Sequence, residues 1–567
     1  MTSEKHVIVT DLRKTYAGGF TAVDGISFDI ERGETFALLG PNGAGKSTTI
    51  EILEGYRDRT GGEATVLGVD PQHGGLAWKA RLGIVLQSSG ESGNVTVREQ
   101  LAHFAGFYPN PRDVDEVIAA VGLTEKAKTR IKALSGGQRR RVDVALGVIG
   151  RPELLFLDEP TTGFDPEARH EFWGLIRELK REGTTILLTT HYLDEAAQLG
   201  DRAGVIAGGK LIDIGAIDAI GGTDARTPGA VARCIRSSRG AHPRPRRRRR
   251  PALLGARWRA RRAGGDPAEP RRRLPRSGRG SHRLQQTVGR ADRGGVGMNA
   301  IALGLDRARY ETKIYSRQGD TIFFTFLFPI VMLSIFSVAF SAAGDFGAGP
   351  DGKGGISAAA FYLPGMIAAG ILLSGVQNLA VDIAVERGDG TLKRLAGTPL
   401  PVLSYFIGKF GQVLITSILQ VALLLLIARV AFGVTLPTDA AHWGTFVWVY
   451  LLGITTSAVL GIALSRIPRT GKSATAVIIP IVLVLQFISG VYLQFSLLPV
   501  WLQNVASVFP LKWMAQGMRY VFLPDSFKQV EQGEVWNLAG VAIVLGIWLV
   551  AGVIAARLTF RWIRKDS

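Results

Sequence analysis

Nine consecutive residues, Gly40-Pro41-Asn42-Gly43-Ala44-Gly45-Lys46-Ser47-Thr48, carry the most recognisable chemistry in the chain. Glycines at this spacing let backbone N–H groups wrap a phosphate chain. A helix beginning near Lys46 aims the positive end of its dipole at the same anion. In such a loop the lysine reaches the β- and γ-phosphates of a nucleotide and the hydroxyl of Ser47 binds Mg2+. Gly40, Asn42, Gly43, Gly45 and Thr48 complete the cradle. A second group lies further along, where the apolar run Leu154–Leu157 ends in Asp158 and Glu159. Asp158 suits Mg2+, and Glu159, one residue on, stands where a general base polarises an attacking water. Both groups need a strand to deliver them, and Thr35–Leu39 and Leu154–Leu157 each read as short, fully buried strands.

Between these groups stands Leu134-Ser135-Gly136-Gly137-Gln138. With it the first 220 residues resemble the ABC ATPases, whose signature is LSGGQ. The likeness implies further roles, residue by residue. Tyr16 stacks on adenine, Gln87 binds Mg2+ and couples domains, and His191 contacts the γ-phosphate. Thr161–Asp165 matches the loop after the catalytic glutamate, with Phe164 in place of the usual Leu. The segments Gly83–Gln87 and Thr161–Pro166 look most like the daunorubicin-resistance type of exporter ATPase. Ser135, Gly137 and Gln138 head a helix whose N-terminus is a second anion-binding surface. In the family that surface closes on the nucleotide of an opposite subunit, so ATP is sandwiched between two cassettes and acts as a two-state switch.

The positioning elements continue past the ATPase. The chain has 567 residues, too long for one domain, and its apolar residues gather into long runs after Met298. Six runs approach or exceed the roughly 20 residues that cross hydrocarbon. They are Thr321–Ser341, Ala359–Ile383, Phe406–Phe432, Phe446–Ser465, Thr475–Leu498 and Leu538–Leu558. Basic residues flank one side of the series: Arg307, Arg309, Lys313 and Arg317, then Arg387, Lys393 and Arg394, then Arg466, Arg469 and Lys472, and finally Arg557, Arg561, Arg564 and Lys565. The loops 342–357 and 434–443 hold one basic residue between them, Lys353. Both termini and the ATPase are therefore expected inside, with those two loops outside. The N-terminus has no apolar signal region, in keeping with a first domain inside the cell. Lys409, near the start of the third run, is expected to snorkel to the interface. The inner loop Glu386–Thr398 resembles the segment of type-2 ABC exporter permeases that touches the ATPase. For Pro499–Val521 the likeness implies short helices dipping back from outside, and an interfacial helix with aromatic anchors reads equally well.

The net charge of +19 points to nucleic acid until it is located. Residues 223–297 hold 22 Arg, no Lys and four acids, a balance of +18, so the rest of the chain is nearly neutral; the basic balance says little about what the folded parts bind, and no nucleic-acid partner is expected. The single cysteine, Cys234, lies in the same stretch and rules out an internal disulfide framework. Nothing in 223–297 has a sustained apolar period, so it is expected not to fold. Two readings stand: a flexible basic linker lying on anionic lipid, or an out-of-frame translation joining an ATPase gene to a permease gene, since a GC-rich gene read in a shifted frame yields Arg, Gly, Pro and Ala.

The expectation is a multidomain chain. Residues 1–222 form an α/β P-loop ATPase, 223–297 a linker and 298–567 an all-α six-helix transmembrane domain. The cofactors are ATP and Mg2+, the working unit is a homodimer in the plasma membrane, and the activity is ATP-driven export of an amphipathic drug, polyketide or lipid. The rival readings are a membrane-bound sensor or resistance protein that signals without bulk transport, an importer, and a soluble ABC protein acting on ribosomes or DNA.

Overall fold

The computed structural model describes residues 4–87, 93–162, 164–220, 299–341, 345–347, 355–468, 470–560 and 562. The Arg-rich segment 223–297, with Cys234 and both readings of it, lies outside the described residues.

The N-terminal part is built on two sheets. Strands β1 (Lys5–Thr15), β2 (Thr21–Glu31) and β4 (Gly61–Val66) form an antiparallel sheet in the order β2-β1-β4. The second sheet runs β5-β6-β7-β3-β8-β9, with β3 Thr35–Leu39, β5 Leu82–Val85, β6 Leu154–Asp158, β7 Thr185–Thr190, β8 Arg202–Ala207 and β9 Lys210–Ala216. Its first five strands are parallel and β9 is antiparallel. Every residue of β3, β6 and β7 is buried, which is why their central residues form continuous apolar runs and do not alternate. The pairing Leu39 with Thr190 and Asp158 with Thr189 brings the carboxyl ends of three neighbouring strands level. Ligands of open parallel sheets bind at such an edge.

The C-terminal part is helical. It begins with a helix the hydropathy pattern did not disclose, Ala300–Tyr315, which lies before the first span and is called here the elbow helix. Among the described residues, five helices are long and apolar enough to cross a membrane: span 1 Gly319–Phe340, span 2 Ala358–Gly388, span 3 Val402–Phe432, span 4 Ala440–Leu464 and span 6 Leu538–Thr559. The fifth run is corrected. Its helix is Gly471–Ile488, shorter than the expected Thr475–Leu498. The chain breaks at Ser489-Gly490, where Gly490 has φ of 77°, and Phe495–Leu497 forms a separate turn. Apolar composition carried the reading across a break that only the backbone reveals. The stretch expected outside holds two helices, Val500–Ala506 and Pro510–Phe522. The second packs against spans 2, 4 and 6, burying Leu511, Met514, Ala515 and Met518 completely.

Lys409 is a second correction. It does not reach for the membrane surface: it is 2% exposed, with its ammonium 2.7 Å from Glu386 and 3.1 Å from Glu311. The elbow helix covers it and supplies the Glu311 carboxylate. A buried ammonium persists only when paired in this way.

Candidate nucleotide site and its link to the membrane helices

The loop after β3 turns into the helix Lys46–Leu53, the P-loop helix. Gly43 and Gly45 have φ of 81° and 107°, conformations that disfavour any side chain. A Cβ on Gly45 would also meet the Ala22 carbonyl at 2.4 Å. The Lys46 ammonium lies under the loop, donating to the carbonyls of Gly40 at 2.8 Å and Pro41 at 3.2 Å. It stands 3.4 Å from Glu159 Oε1. Asn42 and Gly43 are exposed on the outside of the loop. Thr48, on the first turn of the helix, shares a 3.1 Å hydrogen bond with the Tyr16 hydroxyl. The Arg57 guanidinium lies over the Tyr16 ring, 5.0 Å from its centre.

At the ends of β6 and β7 the acidic groups meet. Ser47 Oγ donates to Asp158 Oδ1 at 3.3 Å, and Thr189 Oγ1 donates to the same oxygen at 2.6 Å. Hydroxyl and carboxylate oxygens so placed are the hard donors Mg2+ takes, so Ser47 and Asp158 fit that ion, with the Gln87 amide at the edge of the same group. Gln87 Nε2 donates to Glu159 Oε2 at 3.1 Å, and His191 Nδ1 lies 3.4 Å from that oxygen. The Glu159 backbone has φ of 46°, a strained value for a side-chain-bearing residue. Its N–H donates to the Thr189 carbonyl at 3.1 Å, which helps hold that conformation. Lys46, Ser47, Gln87, Asp158, Glu159 and His191 therefore converge.

Ser135, Gly137 and Gln138 are elsewhere. They head the signature helix Gly136–Val148, where Ser135 and Gln138 cap each other's backbone N–H at 3.1 and 3.2 Å. No hydrogen bond or ion pair joins them to the P-loop among the described residues. A Cβ on Gly136 or Gly137 would meet nothing within 4 Å. The fold of this chain therefore gives no steric reason for glycine there.

Two further features tie the site to its surroundings. Arg140, buried on the signature helix, donates to the carbonyls of Pro160 at 2.9 Å, Asp158 at 3.0 Å and Glu159 at 3.3 Å, and also to that of Leu86. It ties that helix to the backbone at the end of β6. The run Arg139–Arg141 reads as a solvated face, and nothing local singles out its middle member. The second feature is the junction with the membrane part. The inner segment expected to touch the ATPase contains a coupling helix, Thr391–Ala396. Lys393 donates to Glu51 on the P-loop helix at 2.8 Å, and Arg394 donates to Asp143 on the signature helix. Lys79 of the ATPase donates to the Ala396 carbonyl at 2.6 Å, and its burial lowers its pKa to about 8. The elbow helix makes the other contact. Arg317 and Lys313 both bind Glu99, whose carboxyl Arg317 above all holds well below the usual range. Tyr310 stacks on His103 with ring centres 3.8 Å apart.

Known proteins resemble both parts of the chain. Residues 23–162 match the family described as ABC transporter, and residues 308–523 match the family described as ABC-2 type transporter. The linearmycin resistance ATP-binding protein LnrL of Bacillus subtilis is 39% identical over 210 residues, 36% of this chain and 67% of its own length. The Nod factor export ATP-binding protein I of Neorhizobium galegae is 42% identical over 197 residues, 34% of this chain and 57% of its own length. Among solved structures, cbiO1 from Clostridium perfringens, part of an ABC transporter complex, is 27% identical with a TM-score of 0.36, over 41% of this chain and 95% of that one. The match thus spans only part of each curated relative. This chain is a member of the ABC transporters, an ATP-hydrolysing cassette and an ABC-2 type permease domain carried on one multi-pass membrane polypeptide.

Proposed function

We propose that the chain exports an amphipathic molecule across the plasma membrane as a homodimer, with two ATP molecules sandwiched between opposed cassettes. One observation carries the reading. Span 2 lines a cavity of about 560 Å3 and ends at Gly388, and after two intervening residues the coupling helix begins and grips both the P-loop helix and the signature helix. A single stretch of chain thus joins the nucleotide site to a membrane cavity. The cavity is of ligand size and mostly apolar, with a few amides, as suits a cargo with an apolar body. Export, in place of import, is supported by the likeness to resistance and export ATP-binding proteins.

Each site residue then has a role. The P-loop amides of Gly40, Asn42, Gly43 and Gly45 cradle the phosphates with Lys46 and Thr48, and Tyr16 stacks on the base. Ser47, Gln87 and Asp158 would hold Mg2+, which when bound neutralises the phosphate charge. Glu159 takes a proton from the attacking water, and His191 reaches the γ-phosphate. Ser135, exposed on its own chain, and the half-buried Gly137 and Gln138 face the nucleotide of the second copy. Inverted vesicles containing the protein should accumulate an amphipathic dye only with hydrolysable ATP. Dye uptake without ATP, or ATP hydrolysis with no movement of any amphiphile tried, would argue for the sensor reading.

The assignment of residues 1–222, 223–297 and 298–567 to cassette, linker and permease belongs to this proposal, as does the topology. With Cys234 replaced, a cysteine at Thr438 should react with an impermeant reagent on intact cells and one at Thr391 should not. The opposite pattern would invert the topology and place the ATPase away from its nucleotide.

A further inference from the structure

Spans 1 and 2 each contain one π-helical turn, Phe323–Leu327 and Leu373–Asn378. Asn378 Nδ2 donates to Thr325 Oγ1 at 3.1 Å, so the two turns face each other. A π turn carries one residue more than an α turn, which re-aims the side chains around it, and such turns are frequent at functional sites. With the helix Gly471–Ile488, called here span 5, these turns enclose the 560 Å3 cavity, whose walls include Phe324, Phe328 and Val482 beside the amides of Gln377 and Asn378.

The inner end of this cavity differs from its walls. Asp320, Thr321 and Asp382 line it, and the same three residues line an adjoining cavity of about 380 Å3 between the elbow helix and the coupling segment. The charges of that second cavity are largely matched. Arg307 and Lys409 are paired with Glu311 and Glu386 at 2.5 to 3.9 Å. Arg394 is held by Asp143, and Asp389 accepts the Thr391 N–H. Asp382, which lies in the field of Lys409, is bound by none of these groups. Among the described residues its carboxylate makes no hydrogen bond or ion pair, although it sits on a membrane span between two cavities. Asp320, also without a partner among the described residues, stands at the first turn of span 1 on the same rim. A carboxylate in an apolar wall is costly unless a cation meets it, and an ionisable group on a span marks a functional site by default.

We infer that the cavity between spans 1, 2 and 5 takes an amphiphile bearing an ammonium group. Its apolar body lies against Phe324 and Phe328, and its positive charge meets Asp382, with Asp320 adding to the field at the mouth. Aromatic faces beside the carboxylate favour the same sign of charge. The inference rests on the export reading and adds the charge of the cargo to it.

The test uses the full-length protein in lipid nanodiscs and two dansyl probes on the same dodecyl chain, one ending in trimethylammonium and one in an uncharged hydroxyl. The wild-type protein should prefer the cationic probe by about tenfold or more, the scale of a close charge pair in a poorly solvated site. Asp382→Asn should reduce that preference to about twofold or less, and Asp382→Glu should keep it. Equal binding of the two probes by the wild type overturns the charge assignment alone and needs no variant to fold. A preference that survives in the asparagine variant overturns the role of Asp382. Failure to bind either probe overturns both this inference and the export reading beneath it. Discs of phosphatidylethanolamine and of phosphatidylglycerol separate two sources of the ammonium. Weaker probe binding in the first identifies a lipid headgroup as a competing occupant, and equal binding identifies a solute.

Discussion

Glu159→Gln is expected to lower ATP hydrolysis by about a hundredfold to ten-thousandfold, the usual contribution of a positioned general base, while leaving ATP binding intact. The two outcomes separate because of what holds the residue. The strained backbone at φ of 46° is fixed by hydrogen bonds from the main chain: Glu159 N–H to the Thr189 carbonyl, and Arg140 to the carbonyls on either side. None of these involves the carboxylate, so the substitution keeps the turn. Glutamine also retains the shape of the side chain between Lys46 at 3.4 Å and Gln87 at 3.1 Å. It loses the ability to accept a proton. Single-turnover hydrolysis together with binding of a fluorescent ATP analogue measures both effects. If ATP sandwiches two cassettes, the variant should also accumulate as an ATP-bound closed dimer. Hydrolysis at the wild-type rate would remove Glu159 from the mechanism, and loss of ATP binding would show that the carboxylate organises the loop around Lys46. Membership of the ABC transporters fixes the reaction but not which carboxylate accepts the proton.

How far each feature could be read in advance depends on how many places in the chain build it. The phosphate loop was legible because its work requires nine adjacent residues, each of a restricted type. Asp158 and Glu159 were legible because an apolar strand of four residues ends at them, and burial on both faces of a parallel sheet forces that pattern. Spans 1, 2, 3, 4 and 6 were legible for a similar reason, since hydrocarbon tolerates few alternatives. The end of the fifth helix was not, because Ser489 and Gly490 interrupt the backbone without interrupting the run of apolar composition. The π turns left no trace for a related reason: one additional residue per turn changes the direction of side chains and not their hydropathy. The charge cluster around Lys409 was misread because its partners come from the elbow helix and the end of span 2. Glu311 precedes it by 98 residues, a distance over which no local spacing rule acts. Arg140 was passed over because its neighbours, Arg139 and Arg141, are also arginine, and only the packed fold separates the buried one from the two that are not.

Replacing Arg394 by alanine is expected to uncouple hydrolysis from transport, and replacing Asp143 in the same protein should restore part of the coupling. Asp143 is 4% exposed and sits on the signature helix, where Arg394 of the coupling helix is its hydrogen-bonded partner. Its other cation, Arg140, stands further off at 3.9 Å and is already engaged with four backbone carbonyls. Removing Arg394 therefore leaves a buried carboxylate almost uncompensated, a change that costs about 3 to 5 kcal/mol when it breaks a buried pair. That energy falls on the contact joining the cassette to span 2, so the helices should separate before the cassette itself unfolds. Lys393 and Glu51, with Lys79 at the far end of the coupling helix, hold the P-loop side of the same contact and do not replace the lost one. Removing both partners takes away the stranded charge as well as the bond. The double variant should then lose less than the two single variants added together, with an interaction energy of about 1 to 3 kcal/mol. The quantity to measure is dye moved per ATP hydrolysed, in wild type, both single variants and the double. A single Arg394→Ala variant that transports at the wild-type ratio would show that the coupling helix transmits nothing through this pair. Strict additivity would show that the two residues act at separate places. A gain in the double variant, with hydrolysis persisting in all four proteins, would locate the transmission of ATP chemistry to the membrane helices at the junction of the signature helix and the coupling helix.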